Sequence, residues 1–127
     1  MQRPFLILAA ILGLTAVAAG TFAAHVIEGK VDTRLLDAFE IGVRYHMYHA
    51  LALLGVALVS ARLHGRAIRA AGWLMTAGVV LFSGSLYLYA VTGVRWLAMI
   101  TPIGGVCFIA AWVALLLAAC ATRDAAR

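Results

Sequence analysis

The side chains able to do chemistry in this sequence are few, and they gather. His25 ends one apolar run, and Tyr45-His46-Met47-Tyr48-His49 begins the next. Ser83 and Ser85 lie in the block Phe82 to Tyr89, and Thr101 opens the last run. Histidines at such positions could ligate a metal or a haem. Three of them without a fourth fixed ligand are a weak metal signal, and haem needs histidines on facing helices with room between them. A serine nucleophile needs a base within reach, and neither a Gly-x-Ser-x-Gly nor a His-Glu-x-x-His motif occurs. Cys107 and Cys120 share one run, so about 20 Å of helix keeps them from bonding. No CxxC spacing exists, and no metal is expected. The apolar runs hold no carboxylate, Glu40 being the nearest. A small proton-coupled exporter needs an acid within the membrane, so that class is disfavoured.

Composition says what must position these residues. The chain has 127 residues, of which 65% are hydrophobic and 12% charged. Its mean hydropathy is +1.03. A soluble domain averages about 45–50% apolar and about 25% charged, and so small a globule cannot hide the excess. The solvent is therefore a membrane. The formal charge of +5 is spread over loops and ends. No basic stripe is interleaved with aromatics, so nucleic acid is excluded as a partner.

Four runs reach the roughly 20 residues that cross a hydrocarbon core. They are about 5–24, 43–61, 70–91 and 102–121. They use up the chain as a single transmembrane domain of all-α class, a four-helix bundle. The first run reads as a retained span rather than a cleavable signal peptide, because it is long for one. Arg3, the trio Arg62/Arg66/Arg69, and Arg123 with Arg127 fall on one side; Lys30, Arg34, Arg44 and Arg95 fall on the other. The compact arginine trio places that side, with both termini, in the cytoplasm.

The long first loop turns helical from Thr33. Leu35, Leu36, Phe39 and Val43 take helical spacing against Arg34, Asp37, Glu40 and Arg44. This predicts a short interfacial amphipathic helix before the second span, with Gly42 as a bend. The plainer reading is that the second span extends outward. Thr101-Pro102 reads as a helix start, with Trp96 to Ile100 as an apolar connector. Gly42-Val43-Arg44-Tyr45 recurs as Gly93-Val94-Arg95-Trp96, a weak hint of a duplicated hairpin. Small-residue seams run through Ala9/Gly13, Ala16/Gly20/Ala24, Gly72/Thr76 and Ala110/Ala114/Ala118. Packing within the chain explains them better than a homo-oligomer or membrane-protein interface.

The polar minority collects at the extracytoplasmic ends of the spans. With entry near Val43, His49 lies about 9 Å deep, and an ionisable side chain there needs protein or water around it. The plainest reading is interfacial aromatics and hydrogen-bonded histidines that pin helix ends. A second is a pocket for a lipid headgroup, a quinone or another amphiphile. A third, weaker one is a haem or metal site built on His25 and His49. In the pocket reading His25 and His49 bridge the first two spans, Tyr45 and Tyr48 line the mouth, and Ser83, Ser85 and Thr101 supply hydrogen bonds.

The blocks Gly20 to His25, Phe39 to Leu54, Leu81 to Leu88 and Thr101 to Gly105 resemble those of domain-of-unknown-function family 423. These are small bacterial inner-membrane proteins, similar to eukaryotic transmembrane protein 256. The resemblance runs from about Phe5 to Ala119. It implies a four-span membrane protein and no activity. His46 stands where the family usually has Gln, which weakens any site requiring it. His25, Tyr45, Tyr48 and His49 match the motif. Ala23 stands where Gly is common, which suggests close packing there. The expected function is non-enzymatic, structural or accessory, with no cofactor.

Overall fold

The computed structural model describes residues 2–125, and its described residues form helices joined by turns, without strands. Helix α1 is Gln2–Phe22 and runs on into a π-helical turn, Ala23–Ile27. Helix α2 is Thr33–Val59. Helix α3, Arg66–Gly78, passes through a second π turn, Val79–Ser83, into α4, Gly84–Thr92. A short 3-10 turn, Arg95–Met99, leads into α5, Thr101–Ala125. Arg127 lies outside the described residues.

Three stretches are long and apolar enough to cross a membrane: Gln2–Ile27, Arg66–Thr92 and Arg95–Ala121. These cover the first, third and fourth expected spans. The second expected span lies in α2, whose charged and aromatic side chains keep it outside that set.

Local chemistry explains the boundaries. The Asp32 carboxylate accepts from the Arg34 amide at 3.2 Å and caps α2. Gly93, at φ 71°, turns the chain after α4 in the left-handed conformation that suits glycine. Thr101 opens α5, as its pairing with Pro102 predicts. The two Gly-Val-Arg-aromatic segments differ: Gly42 lies inside α2, whereas Gly93 ends α4. The hint of a duplicated hairpin therefore does not extend to structure.

The amphipathic lead-in is not a separate helix. Thr33–Val59 is continuous through Gly42. Its apolar stripe is turned onto protein, where Phe39, Leu35, Leu36 and Val43 pack with Ala23, Ile27, Ala90 and Tyr87. Apolar area buried against α1 and α4 is not left for an interface. Gly42 bends nothing; it makes room for Tyr87, whose ring a β carbon would meet at 2.8 Å.

The main core joins Phe5 and Ala9 of α1, Leu53, Val56 and Ala57 of α2, Ile68, Ala71 and Met75 of α3, and Ala111, Ala114 and Ala118 of α5. Several small-residue seams are used here. Ala9, Ala16, Ala114 and Ala118 are buried, and Gly72 lies under the Phe5 ring. Large aliphatics point outward, with Leu14 73% and Ile109 68% exposed. Small residues at the helix crossings and many large aliphatics turned outward suit a lipid solvent, where close backbone approach drives helix packing.

Candidate functional site

Helix α2 carries the centre of the polar cluster, and its two buried histidines address different neighbours. The His46 ring lies between α1 and α4. Its Nε2 is 3.1 Å from the Thr15 hydroxyl and its Nδ1 is 2.9 Å from the Tyr87 hydroxyl. Thr15 also donates to the Ile11 carbonyl at 2.9 Å. One arrangement uses every hydrogen: Nε2–H donates to Thr15, and Tyr87 donates to Nδ1. That is a neutral imidazole.

His49 faces α5. The Trp112 indole donates to its Nε2 at 3.2 Å. An indole can only donate, so Nε2 is the acceptor and Nδ1 carries the proton. Nδ1 then donates to the Tyr45 carbonyl at 2.8 Å. His49 is thus a neutral imidazole protonated on Nδ1, and in the arrangement above His46 holds the opposite tautomer. The Phe108 ring stacks flat on His49, with centroids 3.5 Å apart and planes at 9°. Tyr45 and Phe82 complete this aromatic group.

The serines tie further crossings. Ser83, in the second π turn, donates to the Gly42 carbonyl on α2 at 2.7 Å. The Ser85 and Thr101 hydroxyls lie 2.6 Å apart and join α4 to α5. Ser85 also reaches the Phe82 carbonyl at 2.9 Å. Among the described residues no buried side-chain nitrogen or oxygen lacks a partner. In lipid this matters more than in water, because no solvent stands ready to replace a missing bond.

The sequence-derived residues divide accordingly. Tyr45 and His49 meet, as do Ser85 and Thr101. Tyr48 is 57% exposed and touches Tyr45 ring to ring at 5.8 Å. His25 lies exposed in the first π turn. It does not pair with His49, because both ring nitrogens of His49 are taken by Tyr45 and Trp112. The same two bonds, with Phe108 on the ring face, leave His49 no free nitrogen for a haem or a metal. A groove of about 480 Å³ borders Ser85 and Tyr87 between α4 and the 3-10 turn; it is otherwise aliphatic but for Gly84. Of the seven expected pocket residues, Ser85 lines it and the other six do not.

Sequence reasoning missed Thr15, Tyr87, Phe108 and Trp112, and discounted His46. Trp112 carried a readable signal. It lies about 16 Å along α5 from Thr101, far below the level where tryptophan anchors a helix. A donor at that depth calls for an acceptor.

A membrane-borne helical bundle tied together by buried polar bonds is the class of protein these features define. The chain belongs to the family described as Protein of unknown function (DUF423), whose model matches residues 19–105. It is 51% identical over 119 residues to the UPF0382 membrane protein YwdK of Bacillus subtilis, covering 93% of this chain and 97% of the relative. It is 46% identical over 117 residues to the UPF0382 membrane protein SERP0230 of Staphylococcus epidermidis, covering 92% and 95%. It is 43% identical over 117 residues to SAB0533 of Staphylococcus aureus, with the same coverage. No solved structure matches the chain.

Proposed function

We propose that this protein is a four-span bundle of the bacterial inner membrane, with a structural or accessory and non-enzymatic role. In this reading α2 is the second span and both termini are cytoplasmic. The lead-in of α2 then stands at the extracytoplasmic surface. The observation that carries the reading is the bond set Thr15–His46–Tyr87, Trp112–His49, Ser83–Gly42 and Ser85–Thr101. Each of these bonds joins two different helical segments, and none leaves a reactive group free. Ser83, the deepest candidate nucleophile, spends its proton on a backbone carbonyl.

A second reading, binding of a small amphiphile such as a lipid or a quinone, draws on the 480 Å³ groove beside Ser85 and Tyr87. Native mass spectrometry of the protein in gentle detergent separates the two. The structural reading expects no retained mass that depends on this groove, and a lower thermal midpoint for His49→Ala. A copurifying quinone or lipid mass that Gly84→Leu abolishes by filling this groove would replace it with the second reading.

A further inference from the structure

A groove of about 300 Å³ lies between the end of α1 and the first half of α2, away from the polar network. Gly20, Ala23 and Ala24 form one wall, and Glu40, Val43 and Arg44 form the other. The wall from α1 is bare because its side chains are small. The wall from α2 carries one charge of each sign, one helical turn apart. Both charged side chains are exposed, and among the described residues neither makes an ion pair. Glu40 and Arg44 have the spacing and polarity that favour a mutual bridge, yet they stay apart.

The level of the groove is fixed by packing. A β carbon on Gly20 would meet Val43 at 3.4 Å, so Val43 and Arg44 lie level with Gly20. From Gly20 to Ile27, the last residue of this apolar stretch, is about 10 Å of helix. Arg44 is therefore rooted within the apolar stretch, and its long side chain reaches up to the headgroups, with Glu40 one turn further out. An arginine at that depth needs an anion, and the anion abundant there is a lipid phosphate. Phe22 and Ile41, next in sequence to lining residues Ala23 and Glu40, are large, apolar and exposed, as acyl chains require.

We propose that this groove binds the zwitterionic phosphoethanolamine headgroup of a membrane phospholipid. The Arg44 guanidinium forks onto the phosphate oxygens. The Glu40 carboxylate accepts from the primary ammonium, which offers three N–H donors. A choline headgroup presents the same phosphate but no N–H for Glu40. A glycerol headgroup presents no cation at all. None of the six lining residues belongs to the polar network, so the proposal stands or falls apart from the network's role.

The test is native mass spectrometry of the full chain in gentle detergent, titrated with dioleoyl lipids bearing ethanolamine, choline or glycerol headgroups. The ethanolamine lipid is expected to bind about tenfold more tightly than the choline lipid. Glu40→Gln should erase that preference while sparing choline-lipid binding. Arg44→Gln should weaken both. Ala24→Leu should fill the groove and remove binding. Glu40 and Arg44 are exposed, so their variants should keep the wild-type thermal midpoint. Equal binding of the three lipids to the wild type, or an ethanolamine preference that survives Glu40→Gln, overturns the proposal.

Discussion

Replacing Gly104 with alanine tests the closest approach between helices in this bundle. The site lies where α5 crosses the second π turn. A β carbon on Gly104 would fall on the amide nitrogen and Cα of Phe82. These are backbone atoms, so relief requires α5 to move away as a unit. Overpacking of this kind costs about 1–3 kcal/mol. The shift also strains the 2.6 Å Ser85–Thr101 bond one turn away, and interhelical bonds in lipid average about 0.6 kcal/mol. Against this, alanine is the better helix former by about 1 kcal/mol. The net expectation is a loss of about 1–2 kcal/mol. Gly105→Ala is the control. Its β carbon would find Phe82 Cδ2 at 4.0 Å, an ordinary contact, so it keeps the propensity gain and loses nothing. Titration with sodium dodecyl sulfate in mixed micelles, followed by tryptophan fluorescence, reads both differences. If Gly104→Ala proves as stable as Gly105→Ala, the packing of α5 on the π turn is wrong.

Other expectations follow from single bonds. Trp112→Phe removes the indole donor and His49→Phe keeps a ring on Phe108; a double-mutant cycle should give a stabilising coupling of about 0.6–1.7 kcal/mol. A coupling of zero would mean that the 3.2 Å bond contributes nothing. Tyr87→Phe loses the partner of His46 and should cost about 1 kcal/mol. Tyr48→Phe touches no hydrogen bond and should stay within about 0.5 kcal/mol, so the reverse ranking of thermal midpoints would contradict the network. In cells expressing the chain with Cys107 and Cys120 replaced by serine, an impermeant maleimide should label Lys30→Cys and spare His64→Cys. Labelling of both would mean that α2 does not cross.

The helices were legible because their causes are local. Helical spacing from Thr33 marks the start of α2 and Thr101-Pro102 that of α5, as the structure has them. The Asp32 cap and the Gly93 turn are local causes of the same kind that sequence reasoning left unnamed. The π turns at Ala23–Ile27 and Val79–Ser83 were not legible. A π turn inserts one residue into a helix, and no residue type marks it. Its effect is tertiary. The second one aims Ser83 at Gly42 and brings Phe82 under Gly104. The lead-in of α2 was misread for a related reason. An apolar stripe opposite charges looks the same whether it meets lipid or protein, and its partners on other helices, Ala23, Ile27, Tyr87 and Ala90, decide it.

The same ambiguity explains why the polar cluster could be located but not its wiring. Tyr45 to His49 announce a cluster, since histidines below the headgroups must be satisfied. Which partners satisfy them depends on helix rotation. His46 and His49 are three residues apart, yet they reach opposite neighbours. Their polarity also lowers the hydropathy of α2, the helix that packs against α1, α3 and α4 and bonds to α5. In water a buried helix is apolar all round. In lipid the argument changes: a helix can hold polar groups on the face it turns to other helices, because they supply the bonds that hydrocarbon cannot. The three long apolar stretches therefore do not include α2, although each of them bonds to one of its histidines.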